Sequence, residues 1–317
     1  MLGNIIKRFS IVEKTFSSQN EHLTVGIANI NSEVGNLQAN QTSIVSTLDQ
    51  FLAKKVNIAI FPEFCLSGYF YEPERECQTF MENVTLEKLA SWLSDLTTRY
   101  INDTLQMIVL NGLEKSSIED GRFFNTTLLV DKDGCSLIPE KTYKKNFLPG
   151  GETSFCHSGI NDTLVMETAW GRFGVLTCYD ICFAPLITDL VYRHLIDGLI
   201  VTAAWRKQGE RTYSELGIIN SAYHQTQWEI ILPALAAQNQ IWIMAANSVG
   251  RHSVKCLNYC GRSGIWAPSG INMILGSDSE DQLLILHNIT IQEALSNERE
   301  PFGVLKDYSQ LSSYGKK

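Results

Sequence analysis

Apolar strand patterns alternate with helical ones along almost the whole chain, and several strands follow each other through turns too short to hold a helix. Residues 23–30 alternate as a strand, residues 36–55 space their apolar side chains for a helix, and residues 57–64 form a strand again. Residues 86–100 are amphipathic, with Leu89, Trp92, Leu93 and Leu96 on one face. Strands follow at 105–113, 123–130 and 136–143, the last two joined by the turn pair Asp133-Gly134. Further strands are expected at 164–167, 174–177, 197–203, 241–247, 264–275 and 283–290, with helices at 185–194 and 227–238. Crossovers through helices make parallel neighbours, whereas tight turns make antiparallel ones. The fold class is therefore α/β with mixed sheets. No linker, repeat or low-complexity run splits it, so residues 23–294 read as one unit, flanked by an N-terminal arm or helix (1–22) and a C-terminal tail (295–317) expected either at a dimer interface or partly disordered.

Three predicted strands end on reactive side chains. The run 58–62 leads straight into Glu63, where burial at a strand end would make the carboxylate a usable base near neutral pH. Residues 136–143 close on Lys144-Lys145, an ammonium pair that is usually a solvated surface feature. The strand 174–177 delivers Cys178 to the crevice where α/β sheets collect ligands. A lone cysteine there most often only packs. Together, however, the three make a coherent set. A thiol is a few per cent ionised at neutral pH and needs a base, and a buried ammonium can face a carbonyl oxygen as it turns into an oxyanion.

Phe61-Pro62-Glu63, Tyr143-Lys144-Lys145-Asn146-Phe147-Leu148 and Thr177-Cys178-Tyr179-Asp180-Ile181 resemble, in order, the three signature blocks of the nitrilase superfamily of carbon–nitrogen hydrolases. Phe124-Asn125-Thr126, Ala203-Ala204-Trp205, Gln238-Asn239-Gln240, Ala245-Ala246-Asn247 and Gly261-Arg262-Ser263 resemble the family's remaining blocks, so the likeness runs from about residue 23 to 290. The chain departs from the family at Cys182-Phe183-Ala184-Pro185 and at Leu235-Ala236-Ala237-Gln238-Asn239, where charged residues are usual. The resemblance implies a four-layer αββα sandwich. It implies Glu63, Lys145 and Cys178 as the catalytic set, Glu152 and Tyr179 in support, and Tyr69 and Trp205 in the substrate pocket. It further implies hydrolysis of a non-peptide carbon–nitrogen bond through a Cys178 thioester, releasing ammonia or an amine. Small amides or carbamoyl compounds are favoured as substrates over nitriles, because Tyr179-Asp180 stands where the family's nitrile-specific Trp-Glu pair would be. Acyl transfer from the same thioester, and a silent binding protein with an inherited fold, are the competing readings.

Composition agrees with a soluble enzyme: 44% hydrophobic and 19% charged residues are ordinary for a globular core. A net charge of −8 speaks against a nucleic-acid partner. No apolar run is long enough to span a bilayer, so no membrane partner is expected. Residues 1–18 space Leu2, Ile5, Ile6, Phe9, Val12 and Phe16 as a helix would, but Lys7 and Arg8 break any signal-peptide core. A surface helix or oligomer arm and a cytoplasmic location are expected. His252, Cys256 and Cys260 would share a face on a helix and could then bind metal, but Asn258, Tyr259 and Gly261 read as loop, so no metal and no cofactor is expected. Six Asn-x-Ser/Thr triplets, Asn125 among them, read as composition more than as glycan sites. The loops 69–77 and 206–223 are expected to wall the pocket, and Glu210 and Arg211 in the second suit a polar or charged acyl tail. The helix from Pro185 carries Ile187 and Tyr192 off its main apolar stripe, which predicts a homodimer formed in part through it.

Overall fold

The structure is a computed structural model that describes residues 7–18, 22–70, 80–160 and 162–314. In chain order the strands begin with β1 (Ser10–Thr15), β2 (Leu23–Asn29), β3 (Ile58–Ile60), β4 (Met107–Lys115), β5 (Phe123–Asp131) and β6 (Thr142–Lys144). They continue with β7 (Cys156–His157), β8 (Val165–Thr168), β9 (Gly171–Thr177), β10 (Gly198–Ala203), β11 (Arg211–Tyr213) and β12 (Ile218–Asn220). The last are β13 (Trp242–Asn247), β14 (Val249–Arg251), β15 (Asn258–Cys260), β16 (Gly264–Trp266), β17 (Asn272–Leu275) and β18 (Gln282–Ile289). The helices are α1 (Leu37–Ala53), α2 (Ala90–Tyr100), α3 (Ala184–Thr188), α4 (Tyr223–Asn239), α5 (Ile291–Arg299) and α6 (Val304–Tyr314).

One sheet runs β1-β18-β2-β3-β4-β5-β6, and the other β17-β16-β13-β10-β9-β8. Both are mixed. In the first, β2–β3–β4 is parallel and β4–β5–β6 antiparallel. In the second, β9–β10–β13 is parallel and β13–β16–β17 antiparallel.

Strand alternation sorts the side chains into layers. Leu23, Val25, Ile27, Ile58 and Ile60 face the second sheet's Val175, Leu199 and Ile243. Ala28 and Ala59 turn outward to Ile44, Leu48 and Phe51 of α1 and Leu93 and Leu96 of α2. The helix α1 starts where the Asn36 side chain accepts the Ala39 N–H at 3.2 Å, an N-cap. It lies so close that a Cβ on Gly26 would meet the Phe51 ring at 2.9 Å. On the opposite flank α4 buries Trp228, Leu232 and Ala236. The layers are helix, sheet, sheet, helix, a nitrilase-like αββα sandwich.

Two expectations are corrected. Residues 10–15 are an edge strand, not part of a helix: β1 pairs in parallel with β18, from Ser10 opposite Gln282 to Thr15 opposite His287. Leu2, Ile5 and Ile6 lie outside the described residues. Within the tail, residues 304–314 form α6, which docks on its own chain, where the Tyr308 ring lies 4.0 Å from the Tyr192 ring. The surplus apolar face that predicted a dimer is therefore used internally. Ile187 is 3% exposed within the core, and Tyr192 is covered by α6.

Candidate active site

Each candidate residue sits just past the end of a buried strand. Glu63 follows β3 and Lys145 follows β6, both from the first sheet, while Cys178 follows β9 of the second. The structure brings all three together with Glu152. The Lys145 ammonium donates to Glu63 Oε1 at 2.8 Å and to Glu152 Oε2 at 2.7 Å, and all three side chains are fully buried. Lys144 points elsewhere, paired with Glu114 at 3.0 Å beside the Phe124 ring. That outcome follows from alternation, since successive strand residues face opposite sides.

Burying two carboxylates and an ammonium demands that every remaining valence be filled. Asn125 on β5 donates to Glu63 Oε1 and to Glu152 Oε1, each at 2.7 Å. Asn111 on β4 in turn donates to the Asn125 carbonyl at 2.8 Å, and its own carbonyl accepts the Phe64 N–H at 2.7 Å. The second Glu63 oxygen accepts the Ala204 N–H at 2.8 Å, beyond the end of β10. The Tyr69 hydroxyl completes the set by donating to Glu152 Oε2 at 2.8 Å.

Cys178 stands at a φ of 52°, in the left-handed region that a non-glycine residue rarely occupies. The turn Cys178–Cys182 begins there, capped reciprocally by Thr177 and Asp180. Asp180 is also a strap. It accepts the Tyr143 hydroxyl at 2.7 Å and the Phe147 N–H at 2.8 Å, both from the segment that carries Lys145.

The electrostatics follow from burial and from one cation shared by two carboxylates. Burial alone would lower the Lys145 pKa, but Glu152 and Glu63 outweigh it and hold the ammonium well above its ordinary value. Burial raises the Glu152 pKa against the pull of Lys145. Burial, then the negative charge of Glu63, pushes the Cys178 thiol well up, with Lys145 opposing. Cys178 is thus held as a neutral thiol, not a preformed thiolate. Burial brings Asp180 up to about 6.

A cavity of 460 Å³ opens onto Cys178, and Tyr69, Tyr179, Cys182 and Trp205 line it. The Trp205 indole is fixed by donating to the His224 carbonyl at 2.7 Å. Of the expected wall 69–77, residues 71–77 lie outside the described residues. Glu210 and Arg211 do not line the cavity; Arg211 stacks over the Tyr223 ring at 4.1 Å. His252 is a brace. Its Nδ1 accepts the Val254 and Lys255 N–H groups, which leaves Nε2 to donate to the Tyr69 carbonyl at 2.8 Å. Among the described residues no cluster of His, Cys, Asp or Glu could hold a metal ion, and no helix is long and apolar enough to cross a membrane.

Asn111, Asn125 and Asp180 were not singled out as site residues from sequence. A signal existed for the two asparagines, each of which interrupts an apolar strand, because a buried amide there must find partners.

This sandwich, with a thiol, a carboxylate and an ammonium gathered between the strand ends of its two sheets, is the frame of a hydrolase of non-peptide carbon–nitrogen bonds. The carbon–nitrogen hydrolase family model matches residues 24–294, and the chain belongs to that family. A probable nitrilase of Schizosaccharomyces pombe is 26% identical over 243 residues, covering 75% of this chain and 77% of that protein. A deaminated glutathione amidase of Dictyostelium discoideum is 24% identical over 266 residues, covering 78% and 80%. Among solved structures, a carbon–nitrogen hydrolase superfamily protein of Xanthomonas campestris superposes with a TM-score of 0.70 at 18% identity, over 90% of this chain and 97% of that one. An amidase from Nesterenkonia, in a cysteine-to-alanine variant, gives 0.68 at 18% identity over 91% and 98%.

Proposed function

We propose that the chain is an amidohydrolase acting on a small amide or carbamoyl compound through a thioester on Cys178. The observation that carries this reading is that the buried Glu63 carboxylate sits near enough to Cys178 for its charge to act on the thiol, while Lys145, Asn125 and Ala204 anchor it. A carboxylate so held is a base within reach of the proton it must take.

As the sulfur adds to the carbonyl carbon, its proton passes to Glu63. The oxyanion that forms faces the Lys145 ammonium and the leading N–H groups of the Cys178–Cys182 turn, which a helical turn leaves unpaired. Glu63 returns the proton to the departing nitrogen, which leaves as ammonia or an amine. Water then gives a proton to Glu63 and attacks the thioester. The carbon–sulfur bond breaks, the acid departs, and the sulfur recovers its proton. Glu152 and Tyr69 keep Lys145 aimed throughout.

The test is ammonia release from a panel of short amides and ureides by the wild-type chain and by Cys178→Ala. Release by the wild type alone, with an acyl mass on the Cys178 peptide after rapid quenching, supports the reading. No release from any member, or equal release by the variant, overturns it.

We also propose a homodimer. Its support is no longer Ile187 and Tyr192 but exposed apolar residues such as Ile230 on α4, 61% exposed.

A further inference from the structure

We propose that the cavity selects amides whose far end carries a carboxylate, and that Arg206 is the residue that binds it. This deepens the amidase reading and relies on it for the bond that is cut.

Arg206 lines the cavity together with Cys178. It lies two residues beyond Ala204, whose N–H holds Glu63, so its Cα stands within about 7 Å of that anchor point. The guanidinium is oriented but not neutralised. Its Nη2 donates to His224 Nε2 at 2.8 Å, and His224 Nδ1 contacts Gln227 Oε1 at 3.2 Å. An arginine can only donate. His224 Nε2 must therefore accept, and the ring proton sits on Nδ1, shared with Gln227. Burial, then the charge of Arg206, lowers the His224 pKa and keeps the ring neutral. The clamp occupies one edge of the fork. Among the described residues no carboxylate pairs with Arg206.

The rest of the wall fits the same ligand. Tyr69, Trp205 and Leu257 supply an apolar lining, Lys255 lines it as well, and among the described residues no Asp or Glu side chain lines the cavity. A planar guanidinium beside an apolar channel matches a carboxylate in charge and geometry. It repels an ammonium. The fitting substrate is the monoamide of a dicarboxylic acid, with roughly two to four methylenes between amide and carboxylate to span that reach.

The experiment compares glutaramate and succinamate with valeramide and butyramide, in the wild type, Arg206→Gln and Arg206→Lys. In the wild type, kcat/KM should favour the carboxylate-bearing amides by at least about tenfold, mainly through KM, and the ratio should shrink as salt is added. Arg206→Gln should bring the ratio near unity, with Arg206→Lys between. Equal kcat/KM for charged and neutral amides in the wild type, or a preference that survives Arg206→Gln, overturns the proposal. A second readout needs no turnover: glutarate should protect Cys178 from iodoacetamide in the wild type and not in Arg206→Gln. If no amide is turned over, the amidase reading fails, whereas Arg206-dependent protection still supports the anion site. Absence of protection in the wild type overturns the anion site by itself.

Discussion

The Tyr143 hydroxyl donates to Asp180 Oδ2 at 2.7 Å, a bond that joins the strand leading to the ammonium with the turn leading to the thiol. Lys145 lies two residues after Tyr143, and Cys178 two residues before Asp180. One buried hydrogen bond between the two sheets therefore fixes the spacing of two proposed catalytic groups. Asp180 takes no part in the proposed proton transfers and is a positioning residue.

Asp180 should leave a signature in the pH dependence of stability. Its folded-state pKa is about 6 against an ordinary 3.8, so the folded chain holds this proton more tightly than the unfolded chain does. Stability relative to Asp180→Asn should fall as pH rises from 3.8 to about 6 and stay level above. The fall should be about 3 kcal/mol at most, on top of a constant offset from the lost hydrogen bonds. Thermal unfolding of both proteins across this range measures it, and a difference that grows in the wild type's favour with rising pH would contradict it.

Cys178→Ala should abolish turnover, and Cys178→Ser should lower it at least about a thousandfold, because a hydroxyl is a poor nucleophile beside a single carboxylate base. Both should unfold within a few degrees of the wild type. Activity retained by the alanine variant would transfer the role to another thiol, with Cys182 on the same cavity wall the first to test.

The proposed nucleophile should be a thiol, not a thiolate, at rest. Burial and the Glu63 charge both favour the protonated sulfur. The ultraviolet thiolate absorbance that separates wild type from Cys178→Ala should be absent at neutral pH and should develop only above pH 9, the ordinary value. A thiolate signal at pH 7 would mean that Lys145 governs the sulfur instead.

Asn125→Ala removes one donor from each of two buried carboxylates. It should destabilise the fold by about 1–3 kcal/mol for each group left unpaired. Turnover should drop as Glu63 loses its aim. Asn125→Asp should be worse, because it adds a third buried carboxylate around one ammonium. Denaturant unfolding and ammonia release together check this, and an aspartate variant as stable as the wild type would sink it.

If the chain dimerises through α4, Ile230→Glu should yield a monomer. Light scattering on the wild type at low micromolar concentration should give twice the monomer mass. A monomer mass there refutes the dimer.

Much of this was legible in the sequence for a physical reason. Buried strands are apolar until the residue at which they must stop, so Glu63 and Cys178 announce themselves as the first polar or reactive groups after such runs. Lys145 was readable only beside them, since two adjacent lysines look like surface. Asn125 was legible as strand and not as partner, because its value lies in a carboxylate 62 positions earlier and another 27 later. The misreading of residues 10–15 has the same origin. Their apolar spacing suits a helix locally, while the pairing that makes them a strand comes from β18, more than 260 residues away.

Glu63 and Lys145 hang from one sheet and Cys178 from the other, and the Ala204 N–H reaches across to the carboxylate. Neither half of the molecule holds a working set of groups. Until the two sheets close on each other, the proposed base has no sulfur to activate. On the proposed mechanism, catalytic turnover therefore arrives last, as a property of the finished molecule.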